Sequence, residues 1–293
     1  MELKYGYYHL IAILTVSIWG LTFIATKVLI GYGLTPQEIF FYRFLIAYAG
    51  IWIISPKRLF ANRWKDELWL MAGGLFGGSL YFFTENTALG ITQASNVAFI
   101  ICTAPLLTTI LSLLFYKSEK ATKGLIYGSI LALIGVGLVV FNGSFVLKLS
   151  PVGDLLTLLA ALSWAFYSLV IKKMTGRYPT VFITRKIFFY GVLTILPAFL
   201  LHPLQPDLDI LLKPIVLSNL LFLAVLASLI CYVLWNMVLK QLGTVRASNY
   251  IYLNPLVTMV ASMMILQEQI TLFALIGAGC IVCGVYLAER KGC

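Results

Sequence analysis

Apolar residues fill this chain in runs of about 20 to 28 residues, separated by short segments that carry most of the charges. A helix needs roughly 20 apolar residues to cross the ~30 Å hydrocarbon core of a bilayer. The pattern predicts ten such helices, at approximately 7–30, 36–55, 67–89, 93–116, 121–141, 152–174, 179–201, 213–240, 245–266 and 270–289. The run 125–141 lacks the alternation of a β-barrel strand. The expected fold class is an all-α polytopic membrane protein.

Composition agrees with lipid as the solvent. Of 293 residues, 61% are hydrophobic and 11% are charged, whereas soluble domains carry about 25% charged residues. A water-soluble globule is therefore excluded. The net charge of +10 would suggest a nucleic-acid partner in a soluble protein. Here the basic residues lie in short gaps between apolar runs, so no nucleic-acid partner is expected and the bilayer is the expected surrounding.

The basic residues also predict the orientation. On the side of the N-terminus there are 15: Lys4, Lys57, Arg58, Arg63, Lys65, Lys117, Lys120, Lys123, Lys172, Lys173, Arg177, Lys240, Arg246, Arg290 and Lys291. The opposite side has two, Lys148 and Lys213. Because Lys and Arg concentrate in cytoplasmic loops, we expect a plasma (inner) membrane protein with both termini in the cytoplasm and an uncleaved first span.

Several residues recur about 150 positions apart. Gly128 and Gly135 recur as Gly277 and Gly284, each 149 residues later. Glu119 recurs as Glu268 at the same offset. Looser matches are Ala94-Ser95-Asn96 with Ala247-Ser248-Asn249, Pro105 with Pro255, and Trp19 with Trp164. The recurrence predicts two five-helix repeats, 1–143 and 150–293. An odd number of spans inverts the second copy, and inverted repeats are typical of secondary transporters with a substrate site near the midplane.

A set of residues then gives a family resemblance: Trp19-Gly20, Phe23, Lys27, Arg43-Phe44, Glu85-Asn86-Thr87-Ala88-Leu89, Ala94-Ser95-Asn96, Pro105, Pro255 and Glu268. With these, the chain resembles the EamA-type members of the drug/metabolite transporter superfamily over essentially its whole length. The resemblance implies ten helices as two repeats and the export of amino acids, related metabolites or drugs by proton coupling or exchange. Some members import small solutes. No cofactor is expected.

Glu85 is the main candidate for substrate binding and for coupling. Ionisable groups within a bilayer cost roughly 2.5–3.5 kcal/mol and usually face a cavity or a partner. Glu85, Arg43 and Lys27 all fall in the outer half of their predicted spans. Glu85 is expected to bind a substrate ammonium or a coupling proton, with Arg43 receiving a carboxylate or releasing Glu85. The alternative is a permanent ion pair of Glu85 with Arg43 or Lys27, or a Lys27 that reaches the interface.

Aromatic residues at mid-depth complete the predicted substrate site. Trp19 and Trp164 occupy equivalent positions in the two repeats, followed by Tyr167. An i, i+4 spacing places Tyr81 with Glu85, and Tyr232 with Asn236, on common helix faces. Trp235 lies beside the second face. The substrate-binding prediction is thus Glu85, Arg43, Trp19, Tyr81, Trp164, Tyr167, Tyr232, Trp235 and Asn236, with helix packing as the alternative for the tryptophans.

The second repeat has no counterpart of Glu85, because Asn236 aligns with it. Lys186 aligns with Arg43. Glu119 and Glu268 are expected at helix ends, and neither a catalytic nor a metal site is expected. The predicted function is a secondary transporter of small metabolites, exporting amino-acid-like or drug-like solutes. The alternatives are an importer or exchanger of a small organic cation or metabolite, and a membrane-embedded lipid-modifying enzyme.

Overall fold

The computed structural model describes the backbone of residues 2–55, 59–92, 94–116, 122–141, 150–201, 203–204, 206–266 and 271–289. Side chains are described for these residues except 2–5, 94–96, 141, 201, 261–266 and 289. Glu119 and Glu268 lie outside the described residues, so the prediction that they end helices stays a prediction.

Helices make up nearly all of the described chain, and no described residue forms a strand. We label them after the predicted spans that they follow. The bounds are Glu2–Gly31 for α1, Pro36–Ile54 for α2, Trp64–Gly74 with Leu75–Ser79 and Leu80–Ile91 for α3, Ala94–Ile101 with Ala104–Phe115 for α4, Lys123–Phe141 for α5, Pro151–Thr175 for α6, Thr180–Ile195 for α7, Pro214–Leu221 with Phe222–Ile230 and Cys231–Leu242 for α8, Thr244–Asn249 with Tyr250–Leu253 and Asn254–Leu266 for α9, and Leu272–Glu289 for α10. Two one-turn helices, Ala198–Leu201 and Leu208–Leu211, lie between α7 and α8.

The predicted fold class, an all-helical membrane protein, is confirmed. Within the described ranges, seven helical stretches are long and apolar enough to cross a membrane, and they belong to α1, α2 and α4 to α8. The apolar part of α10, Leu272–Ala288, is shorter, and α3 begins with three charged residues at 65–67. Ten remains the predicted number of spans.

Polar and apolar side chains are distributed as lipid requires. Large apolar residues such as Leu10, Leu155 and Leu200 are exposed on the surface, whereas Arg43 and Glu85 are buried. In water such a surface would promote aggregation, but in a bilayer it contacts the hydrocarbon chains. Buried ionisable residues such as Arg43 and Glu85 are therefore the places at which function is to be sought.

Helices α5 and α10 approach each other through the glycines that recur between the two repeats. A Cβ atom added to Gly128 would lie 2.5 Å from the carbonyl oxygen of Gly284, and one added to Gly135 would lie 2.6 Å from that of Gly277. The contacts are reciprocal, at 2.6 Å from Gly284 to Gly128 and 2.7 Å from Gly277 to Gly135. Glycine is needed here because the two backbones touch. This reciprocity is what a two-fold relation between two antiparallel helices produces.

Gly277→Leu should destabilise the protein, because the new side chain would have to enter the backbone of α5. Overpacking of this kind costs about 1–3 kcal/mol or more. Gly279→Leu is a matched control on the same helix, since a Cβ at Gly279 meets no atom within 4 Å. We expect the melting temperature of the purified protein to fall for Gly277→Leu alone. Equal melting temperatures for the two variants would contradict this packing.

Two pairs of irregular helices surround the centre of the bundle. In α3 and α8, the segments Leu75–Ser79 and Phe222–Ile230 are wound as π-helix, which often accompanies functional sites. In α4 and α9, regular winding is interrupted just before Ala104 and Asn254. Each of these residues precedes a proline, which has no N–H to continue the helical hydrogen bonds. The irregular segments expose backbone groups that the site uses.

Candidate functional site

A cavity lies among seven helices in the middle of the bundle. It contains about 500 Å³ of space when the open solvent at its mouth is included. The residues that line it are Trp19, Thr22, Phe23, Arg43, Tyr81, Phe82, Glu85, Ile101, Ala104, Trp164, Tyr232, Ile251 and Asn254. It thus combines one acid, one base, an amide and several aromatic rings.

Glu85 reaches this cavity from the last part of α3. Its carboxylate accepts a hydrogen bond from the Tyr81 hydroxyl, 2.7 Å from Oε1. Residues four apart lie on one helix face, which explains how the sequence spacing produces this contact. The side chain is 5% exposed. Glu85 is therefore a buried acid that is held in place by its own helix and lines the cavity.

Arg43 lies beside Glu85 but does not form an ion pair with it. Arg43 Nε donates to Ser228 Oγ at 2.9 Å, and the guanidinium carbon lies 4.1 Å from the centre of the Phe82 ring. Among the ion pairs of the described residues, none includes Glu85. Lys27 is exposed and does not line the cavity. The permanent ion pair of Glu85 with Arg43 or Lys27, which the sequence analysis gave as the alternative, is thus not formed. The Arg43–Ser228 hydrogen bond instead connects α2 to α8.

Aromatic rings form much of the cavity wall. The two repeat-related tryptophans touch, with ring centres 5.3 Å apart for Trp19 and Trp164. The ring of Tyr81 lies 5.1 Å from that of Trp164, and the ring of Tyr232 lies 5.9 Å from it. Ring faces of this kind attract apolar groups and organic cations.

The π-helical segments hold two of these rings in position. The Tyr232 hydroxyl donates to the carbonyl oxygen of Gly77 at 2.6 Å, and Trp19 Nε1 donates to that of Ala227 at 2.9 Å. Gly77 belongs to the π-helical part of α3 and Ala227 to that of α8. The same irregularity in each half of the chain therefore supplies a carbonyl to an aromatic residue of the cavity.

Three predicted site residues lie behind the cavity wall instead of on it. Asn236 Oδ1 accepts from the Tyr167 hydroxyl at 2.7 Å, and Asn236 Nδ2 donates to Thr184 Oγ1 at 2.9 Å. Trp235 packs against Trp19, with ring centres 5.1 Å apart. None of the three, Tyr167, Trp235 and Asn236, lines the cavity. Tyr167 and Trp235 pack against the lining residues Trp19, Trp164 and Tyr232. The predicted site residues that do line the cavity are Trp19, Arg43, Tyr81, Glu85, Trp164 and Tyr232.

Other lining residues were not predicted as site residues. Ile101, Ala104, Ile251 and Asn254 come from the interruptions in α4 and α9. Pro105 and Pro255 directly follow two of them and were noted only as markers of the repeat and of the family resemblance. A proline at the same place in both repeats is the signal that would have located these interruptions.

The end of the bundle at which α3 begins, called here the α3 entrance face, is held together by ion pairs. Arg177 Nη1 lies 2.6 Å from Asp66 Oδ1, and Lys186 Nζ lies 2.9 Å from Glu67 Oε2. The Tyr178 hydroxyl donates to Asp66 Oδ2 at 2.8 Å. These contacts join α3 to α7 and to the segment between α6 and α7. Lys186, which aligns with Arg43, thus lies at the α3 entrance face.

Asp66 precedes the predicted span 67–89, and its surroundings favour the charged carboxylate. The hydrogen bond from Tyr178, together with Arg177, lowers the pKa of Asp66 below its ordinary value. An acid with a lowered folded-state pKa contributes stability above its unfolded pKa of about 4, and the contribution is lost as pH falls through the folded-state pKa.

Asp66→Asn should therefore lower the melting temperature at pH 7. Below about pH 4, the melting temperature of the variant should fall less steeply with decreasing pH than that of the wild type. The measurement is thermal unfolding of the purified protein between pH 3 and pH 7. Arg177 is about half exposed, so we expect Arg177→Gln to have the smaller effect. If the difference in melting temperature between the wild type and Asp66→Asn stayed constant from pH 3 to pH 7, the lowered pKa of Asp66 would be contradicted.

Comparison with known proteins identifies the family. The sequence model of the EamA-like transporter family matches residues 6–141 and again residues 151–289. The chain belongs to the EamA-like transporter family. A relative from Archaeoglobus fulgidus, named "Uncharacterized transporter", is 29% identical over 287 residues, covering 97% of each chain. A Salmonella typhimurium protein named "Probable amino-acid metabolite efflux pump" is 28% identical over 290 residues, covering 94% of this chain and 93% of the relative.

A solved crystal structure has the same fold as this EamA protein. The two superpose with a TM-score of 0.74 at 18% sequence identity, covering 97% of this chain and 96% of the other. At that identity the likeness concerns the fold alone. Family membership and the names of the relatives identify a membrane transporter and not an enzyme.

Proposed function

We propose that this EamA protein is a secondary transporter that exports small amino-acid-like or drug-like solutes by proton coupling or exchange. The substrate binds in the central cavity, and the two repeats, 1–143 and 150–293, rock to open it to either side of the membrane in turn. The observation that carries the proposal is Glu85, a buried acid that has no ion-pair partner among the described residues and lies next to aromatic rings.

Each group in the cavity has a place in this proposal. Glu85 binds the ammonium group of the solute or the coupling proton. Trp19, Trp164, Tyr81 and Tyr232 contact the apolar part of the solute, since aromatic faces attract both apolar groups and cations. Arg43 stays close to Glu85 and competes with the ammonium group or the proton for the Glu85 carboxylate during the transport cycle. No nucleic acid or cofactor takes part.

The orientation follows from the distribution of basic residues. If the protein lies in the inner (plasma) membrane with both termini in the cytoplasm, the α3 entrance face is cytoplasmic. Its ion pairs then hold the cytoplasmic side closed while the cavity faces the outer half of the membrane. Transport to the other side requires the contacts of Asp66 and Glu67 to break.

Two lines of support favour an amino-acid-like solute. The cavity contains both an acid and a base, which suits a solute that carries charges of both signs. The Salmonella typhimurium relative is named "Probable amino-acid metabolite efflux pump". The second candidate, a small organic cation, is supported by the aromatic rings beside Glu85, since this combination binds cations without needing a carboxylate.

The test is transport in proteoliposomes that contain the purified protein. Labelled amino acids and amphiphilic amines are supplied with and without a pH gradient. The proposal predicts accumulation of at least one of these solutes that increases several-fold with the gradient. Accumulation of amines alone would favour the cation candidate. Equal fluxes in liposomes with and without the protein, for both classes, would contradict the proposed function.

A further inference from the structure

A buried face of α4 leads from the central cavity towards the α3 entrance face. In the second part of this helix, Ala104–Phe115, the buried residues are Ala104, Pro105, Thr108 and Ser112. Ala104 lines the cavity, and Ser112 lies about 12 Å further along the helix at 1.5 Å per residue. The spacing of four residues places Ala104, Thr108 and Ser112 on one face. Since each span reverses the direction of the chain, α4 ends on the side at which α3 begins.

The first part of α9 covers the second part of α4. Thr244–Asn249 packs against Ala104–Phe115. Thr244 and Ser248, four residues apart, are fully buried, and Ile251, three residues further, lines the cavity. This part of α9 therefore also runs between the cavity and the α3 entrance face.

The contact between α4 and α9 joins the two repeats. The ion pair of Lys186 with Glu67, which connects α7 to α3, joins the two repeats on the same side. A movement that separates the repeats at the α3 entrance face would therefore break both contacts together.

Hydroxyl groups in the contact between α4 and α9 lack the partners that other hydroxyls of the bundle have. Thr108 Oγ1, Ser112 Oγ and Thr244 Oγ1 have no hydrogen-bond partner among the described residues, and all three residues are 0% exposed. Helical Ser and Thr commonly donate to the carbonyl of the preceding turn, as Thr109 Oγ1 does to Pro105 at 2.9 Å. Leaving a buried hydroxyl unpaired costs free energy. The closed contact carries this cost three times.

The first helix adds an unpaired hydroxyl on the same side of the cavity. Thr15 is 0% exposed, and its Oγ1 has no hydrogen-bond partner among the described residues. It precedes the cavity residue Trp19 by four positions, so it lies one turn nearer to the α3 entrance face. Helix α1 packs against α9. Apolar residues would fill such contacts without the cost of an unpaired group, so close packing alone does not explain the four hydroxyls.

We propose that the part of the transport path between the cavity and the α3 entrance face runs along these faces of α1, α4 and α9. When the repeats separate at this end, the hydroxyls of Thr15, Thr108, Ser112 and Thr244 bond to water and to polar groups of the passing solute. The cost of leaving them unpaired destabilises the closed contact and thereby favours its opening. This path rests on the proposed function, in which the two repeats rock about the cavity.

The test is the reactivity of single cysteines in a cysteine-free background, measured on the full chain in lipid nanodiscs, where both faces meet the solution. The variants are Thr108→Cys, Thr244→Cys and the control Thr109→Cys, which replaces a residue outside the buried face of α4. A charged methanethiosulfonate reagent reports access of water, because the thiolate is the form that reacts. Each variant is measured alone and together with Lys186→Gln, which removes the ion pair with Glu67.

We expect Lys186→Gln to accelerate the reaction of Thr108→Cys and Thr244→Cys at least fivefold and to leave that of Thr109→Cys within twofold. An unchanged rate at either of the first two positions would overturn the path, and so would an equal acceleration of Thr109→Cys. If Lys186→Gln does not fold, Asp66→Asn weakens the same face and the same comparison decides. These rates involve no transported solute. Absence of flux in the transport assay would instead overturn the proposed function, and this path with it, whatever the rates.

Discussion

Glu85→Gln should reduce pH-driven transport at least tenfold while the purified protein keeps its size-exclusion profile and melting temperature. The amide has the shape of the carboxylate, and its oxygen is still able to accept the hydrogen bond that Tyr81 donates at 2.7 Å. It cannot release a proton or hold an ammonium group by charge. Because no Arg or Lys pairs with Glu85 among the described residues, the substitution leaves no buried base without its partner. The measurement is the initial rate of uptake against external pH.

Glu38→Gln is the matched control for this variant. Glu38 accepts hydrogen bonds from Thr35 at the start of α2, and glutamine is able to replace glutamate in such a capping box. It does not line the central cavity. We expect Glu38→Gln to transport at the wild-type rate. A Glu85→Gln variant with the wild-type rate and an unchanged pH profile would contradict the role assigned to Glu85.

Arg43→Gln should also reduce transport at least tenfold, and a second substitution at Glu85 should not restore it. The guanidinium contacts Ser228 and Phe82 and is not paired with Glu85. If the two charges served only to hold the helices together, removing both would relieve the cost of leaving one charge buried and alone. The structure predicts no such relief, because Arg43 keeps its position through neutral partners.

The test is a double-mutant cycle on both stability and transport. The four proteins are the wild type, Arg43→Gln, Glu85→Gln and the double variant. We expect the double variant to be no more stable than Arg43→Gln and to transport no faster than Glu85→Gln. A double variant that regains the wild-type melting temperature would show that the two residues form a structural pair.

The general architecture could be predicted because lipid imposes a simple rule. Each long apolar run became a helix, and α2 begins at Pro36 and α6 at Pro151, each within a residue of the predicted boundary. The repeat-related glycines of α5 and α10 were also visible as a constant spacing. That these glycines touch each other's backbone was not, because spacing along the chain says nothing about which surfaces meet.

The site could be predicted only in part. The i, i+4 spacing correctly placed Tyr81 and Glu85 on one face of α3. The same rule placed Tyr232 and Asn236 together, but only Tyr232 lines the cavity, since Asn236 is held by Tyr167 and Thr184. Asn254 was not predicted to line the cavity, because its position there depends on an interruption of α9, and helix periodicity alone does not reveal where an interruption meets a cavity.

The most direct test of the account is whether the transported solute occupies the cavity. Thr22 lines the cavity, and its hydroxyl bonds only to the carbonyl oxygen of Trp19 among the described residues. In a cysteine-free background, Thr22→Cys should react with a water-soluble thiol reagent, and a saturating concentration of a transported solute should slow the reaction at least fivefold. The protection should be lost when Glu85→Gln is added. A reaction rate that is the same with and without solute would contradict the assignment of this cavity as the substrate site.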